Sequence, residues 1–292
     1  MIITSLIGDP VKHSVSPFLF EEFANVSGIK YSHILLRIKC STEENLIKAL
    51  DAIKTLNFAG FNVTLPYKVT IIKYLDNLDK SADNIGAVNT VVNMNGHLVG
   101  YNTDGLGAMR AIDSSLEPIS EKDNVVILGA GGAARAILYE ISKKTKKITV
   151  FNRSKERLDS LKLDFNSKGI AFEKFLLIDE KTLINKLSTA DYIINATSVG
   201  MTPNQEKSLL SKKILDKVEF FGQKKIFDAI FNPHKTKLLQ EMESIYGCKV
   251  LGGLEMMIYQ GLEAFRLWTG YDVSKKVNVK EIEQKLIKKI NE

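Results

Sequence analysis

Apolar residues along the 292-residue chain fall into short continuous runs that alternate with segments of helical periodicity. The clearest example begins at residues 124–128 and ends at residues 148–154, two mostly apolar runs typical of strands buried on both faces of a sheet. The intervening segment has apolar residues at the spacing of one helix face: Ala133, Ala136, Ile137 and Ile141. The pattern predicts a strand, a helix and a second strand of a parallel α/β fold.

The same periodicities predict elements in the rest of the chain. Asn95-Gly96 is a typical two-residue hairpin turn, here between predicted strands at 86–92 and 98–101. Pro66 is predicted to begin a helix, which would place Lys68 in the first helical turn. The remaining predicted strands are 2–8, 31–38, 171–175, 191–194 and 225–228, and the remaining predicted helices are 18–25, 42–56, 181–187 and 253–268.

A glycine-rich turn joins the strand at 124–128 to the helix that follows it. Its sequence is Gly129-Ala130-Gly131-Gly132-Ala133-Ala134. In a dinucleotide fingerprint the first glycine makes the turn, the second lets a pyrophosphate approach the backbone, and a small third residue allows close packing. The helix N-terminus would hold the phosphate charge. The alternative is an ordinary turn between a strand and a helix.

The end of the next strand indicates which dinucleotide is bound. An NAD site would place a carboxylate there to bind the ribose 2′-hydroxyl. This chain instead has Asn152-Arg153-Ser154, followed by Arg157. Guanidinium groups bind phosphate through a planar fork of donors, so the segment favours the 2′-phosphate of NADP. The alternative is a pair of solvated arginines at the start of a helix.

Length, composition and charge limit the class of protein. A chain of 292 residues with 45% hydrophobic and 25% charged residues predicts a globular protein of two domains. No apolar run is long enough to span a membrane, no basic leader precedes the first strand, and a cytoplasmic protein is expected. Cys40 and Cys248, with four histidines, have no metal-ligand spacing and form no disulfide framework. The net charge of +6 comes from scattered lysine pairs, which does not favour nucleic acid.

Polar residues beside the predicted elements of the first hundred residues are candidates for substrate binding. Ser16 fits a helix N-cap before Pro17, whereas Ser14 has no such structural role and is a candidate ligand for a carboxylate. Asn62 and Thr64 share one face of an extended segment. A cation in the first turn of a helix is disfavoured, so a purely structural role for Lys68 is poor.

Three further polar positions have both a functional and a structural interpretation. Asn89 is the one polar residue in an otherwise apolar predicted strand. Asp104 at the start of a predicted helix is a candidate catalytic residue, although an N-cap is the favoured interpretation when it is taken alone. Gln260 shares a side of the last long helix with Gly253 and Met256, which suggests a ligand contact or a boundary residue.

Taken together, these segments resemble the shikimate dehydrogenase family along nearly the whole chain. Several ordered motifs are much more specific than a single glycine turn. The motifs are His13-Ser14-x-Ser16-Pro17, Asn62-Val63-Thr64-x-Pro66-x-Lys68, Gly86-Ala87-Val88-Asn89-Thr90, Gly100-x-Asn102-Thr103-Asp104-Gly105, Gly129-Ala130-Gly131-Gly132-Ala133, Asn152-Arg153-Ser154, Asn195-Ala196-Thr197-Ser198-x-Gly200-Met201 and Gly253-x-x-Met256-x-x-x-Gln260.

The resemblance implies an NADP-dependent enzyme that reversibly reduces 3-dehydroshikimate to shikimate. It assigns Lys68 and Asp104 to catalysis. The implied substrate ligands are Ser14, Ser16, Asn62, Thr64, Lys68, Asn89, Asp104 and Gln260. The implied cofactor ligands are Gly129, Ala130, Gly131, Gly132, Ala133, Asn152, Arg153, Ser154, Arg157, Thr197, Met201 and Gly253, and no metal is implied.

The resemblance also implies an α/β fold with two domains and an active site in the cleft between them. Residues 1–104 would form a substrate-binding domain to which 253–292 return, and residues 105–252 a doubly wound Rossmann domain. One departure is Phe231, where the family pattern Asp-x-x-Tyr-x-Pro-x-x-Thr has tyrosine. The expected partner is a small-molecule substrate, and neither nucleic acid nor a membrane is expected to bind. The protein is expected to be a monomer or a homodimer.

Two other functions are compatible with the motifs. One is an NAD-dependent quinate/shikimate dehydrogenase, which Ser16 and Arg153 disfavour. The other is a non-catalytic NADP-binding regulatory protein, which the presence of both Lys68 and Asp104 disfavours.

Overall fold

The computed structural model describes residues 1–39, 43–220 and 223–292. Cys40, and Thr42 at the predicted start of a helix, lie outside the described residues. The chain divides into two compact units, the first formed by residues 1–104 and 258–292 and the second by residues 105–257. Each unit is described by itself below. No helix within the described residues is long and apolar enough to cross a membrane.

Strands and helices alternate along the chain. The strands are β1 (Ile2–Gly8), β2 (Tyr31–Arg37), β3 (Gly60–Val63), β4 (Asn77–Leu78), β5 (Thr90–Met94), β6 (His97–Tyr101), β7 (Val125–Leu128), β8 (Ile148–Asn152), β9 (Glu173–Leu176), β10 (Tyr192–Asn195), β11 (Lys225–Asp228) and β12 (Lys249–Leu251). The helices are α1 (Ser16–Ser27), α2 (Glu43–Thr55), α3 (Lys80–Ile85), α4 (Asp104–Ser115), α5 (Gly132–Ser142), α6 (Lys155–Asn166), α7 (Glu180–Thr189), α8 (Lys212–Leu215), α9 (Lys237–Ser244), α10 (Leu254–Thr269) and α11 (Val279–Asn291).

The first unit is built on a mixed six-stranded sheet in the order β2-β1-β3-β5-β6-β4. The β1 strand pairs in parallel with β2 and β3, whereas β5 is antiparallel to both β3 and β6. Leu46, Leu50 and Ile53 of α2 pack in a buried cluster with Phe61 and residues from the strands. The apolar faces of this sheet and helix therefore form the core that the sequence pattern predicts.

A second core region of the first unit joins the two ends of the chain. Phe23 of α1 packs edge-on against Phe265 of α10, with ring centroids 5.8 Å apart. The indole nitrogen of Trp268 donates a hydrogen bond to the Val91 carbonyl at 2.8 Å. A Cβ on Gly60 would lie 2.4 Å from that nitrogen, so the close packing requires glycine.

The predicted hairpin at Asn95-Gly96 is confirmed. Met94 and His97 are paired in the antiparallel register of β5 and β6, which leaves a two-residue turn. Asn95 and Gly96 both have positive φ, at 55° and 92°. This is the conformation for which Asn-Gly is favoured in hairpins.

The second unit is a Rossmann-type doubly wound domain. Its parallel six-stranded sheet has the order β12-β11-β10-β7-β8-β9, in which the chain starts at the centre, winds to one edge and then to the other. This is the order of dinucleotide-binding sheets. The four central strands β7, β8, β10 and β11 are short and almost wholly buried, as the apolar runs predicted, whereas the outer strands β9 and β12 are partly exposed. Helices α5 to α7 and α9 supply buried leucine, isoleucine and methionine residues to the core.

Two predicted elements of the first unit are wrong. The helix predicted from Pro66 is a turn over residues 65–69, followed by a 3₁₀ helix at Thr70–Tyr74. The Lys68 carbonyl accepts a hydrogen bond from the Val88 N–H at 2.7 Å, so a neighbouring segment and not a helical turn uses that carbonyl. The strand predicted from Gly86 begins only at Thr90, because Gly86, with φ 69°, ends helix α3.

Candidate active site and cofactor site

Lys68 lies in the turn after β3 and faces Asp104. Its ammonium is 2.5 Å from Asp104 Oδ2, and the two side chains are 18% and 6% exposed. Lys68 is not in a helix, so its predicted position in the first turn of a helix is wrong. The pair brings together two residues that the sequence placed in separate motifs.

Asp104 is the first residue of α4, so its predicted role as an N-cap is wrong. Its carboxylate contacts side chains from other segments: Oδ2 accepts from Lys68, and Oδ1 accepts from Asn89 Nδ2 at 2.9 Å. The Asp104 N–H donates to Asn102 Oδ1 at 3.1 Å. Both carboxylate oxygens therefore have fixed partners, which gives Asp104 a defined orientation toward Lys68.

Asn89 is the centre of a buried polar network beside the Lys68–Asp104 pair. Its Nδ2 lies within 3.1 Å of Gln260 Oε1 and also donates to Thr103 Oγ1 at 2.9 Å. Its Oδ1 accepts from the Thr103 N–H at 2.8 Å. Asn62 joins the same network by donating to the Asn89 carbonyl and to Thr90 Oγ1. The structure thus brings together Lys68, Asp104, Asn62, Asn89 and Gln260.

Thr90 and Thr103 are members of this network that were not predicted as functional residues. Thr103 Oγ1 lies between Asn89 and Gln260, and Thr90 Oγ1 lies between Asn62 and Asn89. Both are buried. The signal in the sequence was their position directly beside Asn89 and Asp104, whose own roles were assigned.

Ser14 and Ser16 contact each other, and their local roles are the reverse of the prediction. The N-cap of α1 is Val15 and not Ser16, and Pro17 lies in the first turn as predicted. Ser14 Oγ accepts a hydrogen bond from the Ser16 N–H at 3.2 Å and lies 3.1 Å from Ser16 Oγ. Ser14 therefore stabilises the start of the helix, and the Ser16 hydroxyl has no capping role.

Thr64 follows β3 directly and is attached to β1 by a hydrogen bond from its N–H to the Ile7 carbonyl at 2.9 Å. A Cβ on Gly8 would lie 2.3 Å from Thr64 Cγ2. Glycine at the end of β1 is therefore what allows Thr64 to approach that strand. None of the hydrogen bonds described for Ser14, Ser16 and Thr64 joins them to Lys68 or Asp104.

In the second unit, the glycine turn has the geometry that a dinucleotide requires. Gly129 has a φ of 122°, and a Cβ there would lie 3.0 Å from the Ala196 carbonyl oxygen. Gly131 is the N-cap of α5, and a Cβ there would meet no atom within 4 Å. Ala134 is buried against the sheet. The turn therefore leaves open space at the helix N-terminus, where Ala130, Gly132 and Ala133 also lie, and that space fits a pyrophosphate.

The segment after β8 presents two guanidinium groups to solvent. Arg153 and Arg157 are exposed, and neither forms an ion pair within the described part of the chain. Ser154 is the N-cap of α6, because its Oγ accepts from the Arg157 N–H at 3.2 Å. Asn152 Nδ2 donates to the Ser154 carbonyl at 3.1 Å. These contacts shape the segment and leave both arginines available for an anion.

The other predicted cofactor residues lie in the segments that follow β10 and β12. Thr197 is bound to Asn195 through its N–H and its hydroxyl, and Met201 is half-buried in the same loop. A Cβ on Gly253 would lie 2.4 Å from the Ala229 carbonyl oxygen, so only glycine fits there. Among the described residues, no group of three or more His, Cys, Asp or Glu side chains could hold a metal ion.

The second unit has a sheet of Rossmann strand order, an open glycine turn before its first sheet-packing helix, and two exposed arginines after its second strand. These features define an α/β protein with a dinucleotide-binding unit. Comparison with known families identifies the family. The matching family models are described as the shikimate dehydrogenase substrate binding domain for residues 6–91, shikimate/quinate 5-dehydrogenase for residues 112–218 and the shikimate 5′-dehydrogenase C-terminal domain for residues 253–285. The chain belongs to the shikimate dehydrogenase family.

Individual relatives match over almost the full length. The shikimate dehydrogenase (NADP(+)) of Pyrococcus abyssi is 41% identical over 270 residues, which cover 92% of this chain and 93% of the relative. A crystal structure of a shikimate dehydrogenase in complex with NADP⁺ has a TM-score of 0.84 at 35% identity and covers 99% of this chain and 96% of that chain. The Thermus thermophilus enzyme in complex with NADP(H) and shikimate has a TM-score of 0.81 at 30% identity, with coverage of 97% and 98%.

Proposed function

We propose that this protein catalyses the reversible, NADP-dependent reduction of 3-dehydroshikimate to shikimate. The observation that carries the proposal is the contact of 2.5 Å between Lys68 and Asp104, held in a polar network within a chain of the shikimate dehydrogenase family. A partly buried lysine in contact with a buried carboxylate that has fixed partners matches the requirement of ketone reduction for a positioned proton donor.

The reaction adds a hydride to the carbonyl carbon and a proton to the carbonyl oxygen. The hydride would come from NADPH held by the second unit. The Lys68 ammonium donates the proton to the oxygen as negative charge develops there, and it regains a proton from solvent afterwards. Asp104 accepts a hydrogen bond from a substrate hydroxyl and holds Lys68 in position. In the reverse direction, the Lys68 amine accepts the proton of the substrate hydroxyl.

The remaining polar residues of the first unit would orient the substrate. Asn62, Asn89 and Gln260 are held by the network around Asn89, so their side chains require little reorganisation on binding. Ser14 and Ser16, with Thr64, would bind the carboxylate through hydroxyl groups. We therefore propose substrate binding for the first unit, and the substrate-binding domain of 1–104 with 253–292 remains a prediction.

The second unit would bind the cofactor. The open turn at Gly131 suits the pyrophosphate, and Arg153 and Arg157 suit the 2′-phosphate that distinguishes NADP from NAD. Ser154 and Asn152 would support that segment. Thr197, Met201 and Gly253 would lie along the nicotinamide half. The role proposed for residues 105–252 is thus that of an NADP-binding domain.

The test is a spectrophotometric assay of NADPH formation from NADP⁺ with shikimate, with quinate and without substrate. We expect rapid NADPH formation with shikimate and none in its absence. A parallel series with NAD⁺ tests the cofactor. If quinate with NAD⁺ reacts as fast as shikimate with NADP⁺, the NAD-dependent quinate/shikimate alternative is favoured. The family model that matches residues 112–218 is itself described as shikimate/quinate 5-dehydrogenase. The absence of turnover with tight NADPH binding would favour a regulatory protein.

Three expectations remain predictions from the sequence: the cytoplasmic location, the lack of nucleic-acid and membrane partners, and the monomeric or homodimeric state. Size-exclusion chromatography with light scattering measures the oligomeric state directly. Phe231 lacks the hydroxyl of the family tyrosine. Its expected effect, weaker substrate binding or a change of substrate choice, also remains a prediction.

A further inference from the structure

Two neighbouring strands of the second unit end in polar residues that are completely buried. Asn195 ends β10 and Asp228 ends β11, the two residues pair in the parallel register, and each is 0% exposed. Asn195 Nδ2 donates to Asp228 Oδ1 at 3.0 Å. Within the described residues, no basic side chain forms an ion pair with Asp228. A carboxylate buried in this way needs hydrogen-bond donors in place of a counter-charge.

Three uncharged donors from different segments supply these hydrogen bonds. Besides Asn195, the Ile230 N–H donates to Asp228 Oδ1 at 3.0 Å, and Thr236 Oγ1 donates to Oδ2 at 2.7 Å. Thr236 is also the N-cap of α9. An ionised carboxylate can only accept hydrogen bonds, so Asn195 must turn its NH₂ group toward Asp228. The amide oxygen of Asn195 is thereby directed to the other side.

That oxygen determines the shape of the next loop. Asn195 Oδ1 accepts from the Thr197 N–H at 3.0 Å and from Thr197 Oγ1 at 2.8 Å. Thr197 Oγ1 in turn accepts from the Val199 N–H at 3.2 Å. The same loop lies against the glycine turn, since the Ala196 carbonyl oxygen is 3.0 Å from a Cβ position on Gly129. A continuous set of hydrogen bonds therefore connects Asp228 to the loop of residues 196–201.

We propose that Asp228 is a positioning residue for the dinucleotide, which acts through Asn195 to hold the loop of residues 196–201 in the conformation that the cofactor requires. The inference rests on the proposed function, because Thr197 and Met201 of this loop are among the proposed cofactor residues. It extends that function to two buried residues that need not touch the cofactor themselves. If the two residues had only a structural role, they would stabilise the carboxyl ends of β10 and β11 without affecting the affinity for the dinucleotide.

The experiment compares NADPH affinity, measured by the fluorescence of the bound dinucleotide, in the full-length wild-type protein and in variants. Asn195→Ala and Asp228→Ala should raise the Kd for NADPH by about tenfold or more, as expected from loss of a buried hydrogen bond and its consequences for the loop. Asp228→Asn should stay within about threefold of wild type, because its amide oxygen still accepts from Asn195 and Ile230. All titrations are made well below the melting temperature of each variant.

A matched control separates positioning from stability. Asp179 also accepts a backbone N–H in the second unit, that of Thr182 at the start of α7, and it is exposed. Asp179→Ala should lower the melting temperature and leave the Kd for NADPH unchanged. If Asn195→Ala likewise lowers only the melting temperature, the positioning role is refuted. If the wild-type protein itself fails to bind NADPH, the proposed function fails instead.

An exchange of the two residues keeps the test decisive where an alanine variant does not fold. Asn195→Asp alone places two carboxylates within hydrogen-bond distance and should weaken NADPH binding. The double variant Asn195→Asp/Asp228→Asn restores a donor opposite an acceptor at unchanged net charge, but the new NH₂ group also faces the Ile230 N–H, which loses its acceptor. Recovery of part of the NADPH affinity in the double variant relative to Asn195→Asp supports the inference. An affinity as weak as that of the single variant in a folded double variant overturns it.

Discussion

The ammonium of Lys68 and the carboxylate of Asp104 are in direct contact at 2.5 Å, although the two residues are 36 positions apart in the chain. Asp104 Oδ1 is held at the same time by Asn89. Asn89 holds one carboxylate oxygen of Asp104, and Lys68 contacts the other. Because the Lys68 side chain is flexible by itself, the contact with Asp104 is what positions its ammonium group.

The first prediction concerns this pair. Lys68→Met should lower kcat by roughly a hundred- to ten-thousandfold, the usual contribution of general acid–base catalysis, with a much smaller change in KM for shikimate. Lys73→Met is the matched control, since Lys73 is exposed and faces Glu43. Asp104→Asn should affect both kcat and KM, and the double variant should lose less than the product of the two effects. A near-normal kcat in folded Lys68→Met would exclude Lys68 as the proton donor.

The second prediction concerns the choice of cofactor. Arg153→Ala should weaken NADP⁺ binding by roughly ten- to over a hundredfold, because it removes charge-assisted hydrogen bonds worth about 1.5–3 kcal/mol. Binding of NAD⁺ should change little. Arg110→Ala, another exposed arginine of the second unit, serves as the control. Titration of both dinucleotides measures the effect, and equal affinities for NADP⁺ and NAD⁺ in the wild-type protein would contradict it.

The third prediction concerns Ser14. Its hydroxyl accepts the Ser16 N–H, so Ser14→Ala should cost about 0.5–1.5 kcal/mol of stability in addition to raising KM for shikimate. Ser27→Ala is the control, because Ser27 makes a hydrogen bond to the Ala24 carbonyl at the other end of the same helix. Steady-state kinetics and thermal unfolding of both variants distinguish the roles. A loss of stability with unchanged KM would leave Ser14 with only its helix-start role.

The fourth prediction concerns the pH dependence of stability. Burial raises the pKa of Asp228 to about 6 from its ordinary value of 3.8, in spite of its three hydrogen-bond donors. A raised pKa means that the folded state binds the proton more readily than the unfolded state. The protonated Asp228 side chain therefore stabilises the folded state fully below about pH 4, and this contribution is lost as the pH rises through about 6.

The neutral Asp228→Asn variant should consequently gain stability relative to wild type as the pH rises. A pKa change of this size corresponds to roughly 3 kcal/mol over the full titration, of which roughly 2 kcal/mol falls between pH about 4.5 and about 7.5. Urea unfolding of both proteins at pH about 4.5 and about 7.5 measures the difference. A difference in unfolding free energy that does not change with pH would show that Asp228 is ionised in the folded protein throughout this range.

The fifth prediction concerns His33, which is buried between aromatic rings of the first unit. Its Nδ1 lies 2.8 Å from Thr4 Oγ1, and its ring is 4.4 Å from that of Phe20. Burial lowers the pKa of His33 to about 3 from 6.5, so the unfolded state binds the proton first. Stability should fall as the pH drops below about 6.5 toward 3. His33→Phe should lose less stability between pH about 7 and about 4.5, as measured by urea unfolding.

Local sequence signals were sufficient where the structure depends on local chemistry. The strand–turn–helix–strand unit from β7 to β8 follows from apolar periodicity and from the glycines at 129 and 131. The hairpin at Asn95-Gly96 follows from turn residues that accept positive φ. The Lys68 turn did not follow, because its conformation is set by the hydrogen bond to Val88, a partner from another segment.

Within the site, the identities of the residues came from the motifs, but their connections did not. Asn89 and Gln260 are 171 residues apart, and no periodicity in the chain relates them. Asp104 is of a residue type favoured at helix N-caps, and only the structure shows that its carboxylate contacts Lys68. Asp228 could be seen as part of a strand end, whereas its three donors come from β10, its own loop and the N-cap of α9.

The first unit combines both ends of the chain, and this has a consequence for its synthesis. Phe265 and Trp268 complete an aromatic core with Phe23 and Phe20, at centroid distances of 5.8 and 5.2 Å. A ribosome releases residues 1–104 long before these partners, whereas all of residues 105–257 emerge before the last segment does. All residues of the second unit are therefore synthesised before the partners that cover Phe20 and Phe23 of α1. We expect a polypeptide that ends before Phe265 to expose these two rings to solvent and so to lose stability in the first unit.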